Sequence, residues 1–172
     1  DGIFTSMSGV CIGVSTADCI PVLLYDEEHQ AVAAIHAGWR GTLARIVHKT
    51  IQEMAFTYHT DPKKLKAVIG PGISLDHFEV GDEGYEAFEQ AAFPMEEIAE
   101  QRPNAAFSVD PAERERLAAE GNIVQPLKWH LNLPLCNRQI LLHCGVAEEN
   151  IQDCGICTFA HSDEFFSARK LG

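Results

Sequence analysis

Cys19 and His36 are the two residues of this chain whose types and placement point first to chemistry. They sit in two apolar, β-favouring runs, Thr16-Ala17-Asp18-Cys19-Ile20-Pro21-Val22-Leu23-Leu24-Tyr25-Asp26 and Ala31-Val32-Ala33-Ala34-Ile35-His36-Ala37-Gly38-Trp39-Arg40-Gly41. The polar stretch between them reads as the turn of a β-hairpin. Pairing Tyr25 with Gln30 across that turn predicts Cys19 directly opposite His36, with Cβ atoms about 4.5–5.5 Å apart on one face. A thiolate and an imidazole so placed are half of a zinc or copper site, or a Cys–His nucleophile pair. The plainer alternative is a buried cysteine beside a core histidine. The flanking Asp18 and the His-Ala-Gly-Trp-Arg-Gly run favour a chemical role, with Asp18 as a candidate proton carrier.

The elements that must position this pair follow from periodicity and punctuation. Both hairpin strands are apolar on both faces, which predicts a sheet covered on two sides. Residues 10–14 read as a short preceding strand. Leu43, Ile46, Val47, Ile51 and Met54 recur at helical spacing. Arg40 is thus expected near a helix N-terminus, where it could hold a phosphate; a surface arginine is the alternative. Leu65-Lys66-Ala67-Val68-Ile69 predicts a strand running into Gly70-Pro71-Gly72. Such a loop either lets a ligand approach its backbone at Gly70 and Gly72 or is a plain turn. A helix is expected over 82–92 and a polar surface excursion over 94–126, with one short helix near 111–119. Residues 129–133 lead into a helix capped by Asn132 and ended by Gly145. Residues 151–158 read as a last strand. Its Cys154-x-x-Cys157 pair would point to opposite faces, which argues against one metal bound by both. Phe165-Phe166 reads as core, with Phe166 as an alternative base-stacking residue.

Composition limits the rest. The 172 residues suit one domain that hides about 70% of its unfolded surface. Apolar content of 46% and charged content of 22% fit a globular, soluble chain. A net charge of −12 without a basic stripe argues against nucleic acid or an anionic membrane as the main partner. Six cysteines, irregularly spaced in apolar runs, read as reduced thiols of a cytoplasmic protein. The chain opens at Asp1-Gly2-Ile3 without Met, which reads as a fragment.

The Thr-Ala-Asp-Cys run at 16–19, His-Ala-Gly-Trp-Arg-Gly at 36–41 and Gly-Pro-Gly-Ile-Ser at 70–74 together resemble the YfiH family, also called the laccase-domain or multicopper polyphenol oxidase family. The resemblance continues through Phe-Glu-Val-Gly at 78–81, Trp-His-Leu-Asn-Leu at 129–133, Cys-Thr at 157–158 and Phe-Phe-Ser-Ala-Arg at 165–169. It implies an α+β fold, a layered α/β/β/α sandwich with mixed β-sheets, over a single domain of residues 1–172. It also implies one metal, usually zinc and alternatively copper, held by two histidines and a cysteine. Cys19 and His36 match two of those ligands; the family's third comes from an N-terminal Gln-Val-His segment that has no match here, and the family's C-terminal Thr-Gly-Arg end has none either. The implied activity is phosphorolysis of purine nucleosides (adenosine, inosine, methylthioadenosine), with adenosine deamination and copper-dependent phenol oxidation also attributed to the family. The implied partners are therefore a purine nucleoside and phosphate, and the oligomeric state stays open. A metal-free Cys–His hydrolase, as in the related toxin domains, is the other reading of the same pair.

Overall fold

Strand β2 (Ile20–Asp26) lies at the centre of the computed structural model, which describes residues 1–104, 106, 107, 110–121 and 124–172. It pairs antiparallel with β3 (Ala31–Ala37) on one side and β4 (Lys66–Ile69) on the other. The edge strand β1 (Gly2–Thr5) runs antiparallel to β3, and β8 (Ile151–Asp153) runs parallel to β4. The result is a mixed five-stranded sheet, ordered β1-β3-β2-β4-β8. A separate antiparallel sheet, ordered β5-β7-β6, joins Glu79–Val80, Leu127–Leu131 and Ala99–Pro103. The architecture is α+β with a mixed sheet, as expected.

The hairpin forms, but two residues out of the expected register: Asp26 pairs with Ala31 and Pro21 with His36. The reason is local. The Asp26 carboxylate accepts the N–H groups of Glu28 (3.0 Å) and His29 (3.2 Å), so the turn begins after Asp26. Side chains alternate along a strand, so a slip of two keeps every residue on its face. Cys19 therefore remains on the face of His36, now as a diagonal neighbour.

The large sheet is not covered equally on its two faces. Ile20, Val22 and Leu24 of β2, with Ala33, Ile35 and Ala37 of β3, point into the core and are buried. Helices α2 (Ile46–Tyr58) and α6 (Leu133–His143) pack there through Val47, Ile51, Met54, Ile140 and Leu141. The opposite face leaves Ile3, Leu23 and Val68 exposed, at 46, 49 and 38%. These three line up across the sheet, because Ile3 and Leu23 flank Ala34 and Leu23 faces Val68. On that face Ala34 is nonetheless buried, and Pro21, Tyr25, Val32 and His36 are half-buried.

Several boundaries also differ. Residues 10–14 form no strand and have no ladder partner; Val10 and Cys11 are exposed. The single expected helix after Gly41 is two, α1 (Trp39–Leu43) and α2, separated by Arg45 in the left-handed region at φ 56°. α3 (Asp82–Gln90) matches its expected span, stacking Tyr85 on Trp129 of β7 at 4.0 Å. The 94–126 excursion does contain the expected helix, α5 (Pro111–Ala119), but also α4 (Met95–Ile98) and strand β6. Positions 105, 108, 109, 122 and 123 of that excursion lie outside the described residues. Asn132 caps α6, its side chain accepting the Leu135 N–H at 3.0 Å, and Gly145 (φ 92°) follows its C-terminus. The last strand stops at Asp153, before Gly155 turns left-handed at φ 64°. Cys154 and Cys157 therefore do not share one strand. A short α7 (Ala168–Leu171) closes the chain.

Candidate functional site

Asp18 enters β2 with φ 83°, a left-handed conformation that Asp tolerates better than most residues. Its carboxylate is 8% exposed and accepts three hydrogen bonds. The Thr158 hydroxyl donates to Oδ1 at 2.7 Å, the Ser167 hydroxyl to Oδ2 at 3.1 Å, and the Arg169 N–H to Oδ2 at 2.7 Å. The Asp18 carbonyl accepts the Ile73 N–H at 2.8 Å. One residue thus ties together the start of β2, the Gly72 loop and the end of the chain. A carboxylate engaged on both oxygens holds its backbone in place.

Cys19 follows directly, and its side chain turns to the open face beside His36. Continuing the β2–β3 register places Gly38 across from Cys19. Glycine is required there for space, since its φ of −67° suits any residue. A Cβ at Gly38 would lie 2.9 Å from Cys19 Sγ and 3.6 Å from His36 Nε2. The thiol and the imidazole thus border one small, side-chain-free space, and both are half-buried. Burial pushes the Cys19 thiol above its ordinary value, and the Asp18 charge adds to that. This is the opposite of an activated nucleophile, which needs a lowered value. A cation in the space would reverse both effects. Two small clefts flank the site. One, about 280 Å³, is lined by Gly2, Val14, Ser15 and His36; the other, about 330 Å³, by Ala17, Asp18, Phe78 and Arg169.

The other expected site residues fall differently. Arg40 is exposed, with its guanidinium 4.3 Å over the Trp39 ring. Its helix α1 has only five residues, so its dipole is slight. Gly70 and Gly72 serve close packing on β2. A Cβ at Gly72 would collide with Ile20 and sit 3.2 Å from the Asp18 carbonyl, and one at Gly70 would lie 3.0 Å from Pro21. Phe166 is not core: it is 81% exposed, beside the buried Ser167. Sequence reasoning missed Thr158, Ser167 and Arg169 as partners of Asp18. Their only signal was membership of the Cys-Thr and Phe-Phe-Ser-Ala-Arg motifs, which says nothing of what they touch. Among the described residues no group of three or more His, Cys, Asp or Glu is arranged to hold a metal.

Comparison with known proteins identifies the family. The family model described as multi-copper polyphenol oxidoreductase laccase matches residues 1–172. The chain belongs to this laccase-domain, YfiH-like family. It is 42% identical over 172 residues to a purine nucleoside phosphorylase of Bacteroides thetaiotaomicron, covering all of this chain and 56% of that protein. It is 38% identical over 172 residues to adenosine deaminase RL5 from an unknown prokaryotic organism, covering all of this chain and 57% of that protein. Among solved structures it resembles Bacillus licheniformis hypothetical protein YfiH, with TM-score 0.74 and 26% identity over 99% of this chain and 56% of that one. YlmD from Geobacillus stearothermophilus is similar at TM-score 0.73 and 26% identity, over 99% of this chain and 55% of that one. The chain therefore spans somewhat more than half the length of these relatives.

Proposed function

We propose that this laccase-domain chain carries two ligands of a zinc site, Cys19 and His36, in an enzyme acting on purine nucleosides. The observation that supports it most is the space at Gly38, bordered by Cys19 Sγ and His36 Nε2 where a Cβ would intrude. A thiolate and an imidazole are the donor set of zinc, and of a type-1 copper as the alternative. Zinc is favoured over multi-electron copper chemistry, which needs several coppers and many histidines, whereas the eight histidines of this sequence are scattered and form no His-x-His pair.

Zinc bound there would polarise a substrate oxygen or water at its open position. The chain's own residues do the remaining work. Asp18, held by Thr158, Ser167 and Arg169, fixes the left-handed turn that presents Cys19. Exposed Arg40 is the candidate to draw phosphate toward the sheet face of His36. Exposed Phe166 is the candidate to stack a purine. The names of the two relatives lead us to phosphorolysis of adenosine or inosine, with deamination as a companion activity. The absence of any helix long and apolar enough to cross a membrane, among the described residues, and six free thiols fit a cytoplasmic setting.

The test is elemental analysis of the purified protein and of Cys19→Ser, with product analysis on adenosine with and without phosphate. Zinc lost in the variant, with ribose 1-phosphate or inosine formed only by the parent, supports the reading. Nucleoside turnover that survives Cys19→Ser would overturn it.

A further inference from the structure

Behind the Gly72 loop lies a second thiol and imidazole, which the proposed function does not use. Gly72 separates them from the first pair: a Cβ there would sit 3.3 Å from the Cys19 carbonyl, while its backbone bridges to Cys157. Cys157 Sγ lies 3.5 Å from His77 Nδ1. The Ser74 N–H donates to the same sulfur at 3.4 Å, and the Ser74 hydroxyl lies 3.4 Å from His77 Nδ1. The His77 ring stacks on Phe159, with centroids 4.4 Å apart and planes 23° apart, which fixes the direction of Nδ1. Cys157 also begins a series of turns, in which the His161 N–H bonds to its carbonyl at 3.0 Å.

The Ser74 N–H and the His77 imidazole thus meet at one sulfur, and a protonated imidazole there pairs with a thiolate. Each favours the thiolate over the thiol. Burial alone would raise the thiol's value, but the bonds from Ser74, Ala160 and Phe159 outweigh it and hold Cys157 below the ordinary range. The chain supplies its own contrast. Cys136 and Cys144 lack such donors, and burial pushes them up to about 12 and about 11.

We propose that Cys157 and His77 form an oxidation site for small hydroperoxides, independent of any metal at Cys19. The Cys157 thiolate attacks one peroxide oxygen. The thiol's own proton has passed to His77, making the ion pair; the S–O bond forms as the O–O bond breaks, and the leaving hydroxide (or alkoxide) takes that proton back from His77 to depart as water (or alcohol), leaving the imidazole neutral. Sulfur is oxidised to sulfenic acid and the peroxide is reduced. With Cys157 only 9% exposed, access favours a reagent as small as hydrogen peroxide over a bulky disulfide.

The site is tested by treating the intact protein with hydrogen peroxide below neutral pH. Dimedone then traps sulfenic acid, and peptide mass spectrometry ranks the six cysteines. Cys157 is expected to oxidise roughly tenfold or more faster than Cys136 and Cys144, and ahead of exposed Cys11 and Cys154, because the thiolate is the reacting form. That ranking comes from one unmodified sample and needs no variant. His77→Gln is expected to slow Cys157 several-fold while leaving Cys11 and Cys154 unchanged. Oxidation of Cys157 no faster than of Cys136, or indifference of Cys157 to His77→Gln in a folded variant, would overturn the proposal. Neither outcome depends on zinc content or nucleoside turnover, so this failure is separable from failure of the proposed function.

Discussion

Two residues can be changed to separate metal binding from folding. Gly38→Ala adds one methyl group 2.9 Å from Cys19 Sγ at a backbone angle that alanine adopts freely. It should weaken zinc binding by about 10–100-fold, as losses next to a metal's ligands commonly do, while the melting temperature barely moves. Zinc titration with a competing chelator, alongside calorimetry, checks both halves. Asp18→Asn is expected instead to lower stability and the proposed zinc affinity together. Asparagine keeps the left-handed turn but replaces one acceptor oxygen by an NH₂ that faces donors. The expected cost is about 1–3 kcal/mol of stability in urea denaturation, with zinc affinity falling as Cys19 loses its support.

Among the elements, the β2–β3 turn carries a pH dependence with a definite sign. Burial alone would raise the Asp26 carboxyl, but hydrogen bonds from Thr60 (2.5 Å) and His29 (2.8 Å) outweigh it and hold it below the usual carboxylate range. A carboxyl depressed in the fold stabilises above its unfolded value, about 3.9. That stabilisation disappears as pH falls through the folded value. Urea midpoints should therefore drop between neutral pH and about pH 3, and Asp26→Asn, already destabilised at neutral pH, should drop less. The same turn shows where sequence patterns stop. The hairpin, β4, α3 and the Asn132 cap of α6 were legible because neighbouring residues decide them. The register was not, because the Asp26 carboxylate turns back on the Glu28 and His29 N–H groups, and Thr60, 34 residues on, helps hold that carboxylate in place. Strand β6 was hidden in a polar stretch: only its partner β7 makes it a strand.

Across the whole molecule, the site is held by contacts between distant parts of the chain. Cys19 and His36 were legible as a pair, since a hairpin keeps them together in any register of the right parity. The clamp on Asp18 was not, because Thr158, Ser167 and Arg169 lie 140 to 151 residues away. Ser167→Val removes one donor from a position only 1% exposed. Combined with Asp18→Asn in a double-mutant cycle, it should reveal a coupling of about 0.5–3 kcal/mol, measured by chemical denaturation. Additive losses would mean that the contact is incidental.

That clamp also sets an order of events during synthesis. Ribosomes extend chains at roughly 5–20 residues per second. Asp18 and its hairpin thus leave the ribosome on the order of ten seconds before Thr158, 140 residues later, is made. Until then the early hairpin can close and the Ile73 N–H can reach the Asp18 carbonyl, but the Asp18 carboxylate has none of its three donors. The nascent chain carries its cysteine and histidine together from early on, and the clamp that steadies the turn beside them closes only after Thr158, Ser167 and Arg169 emerge.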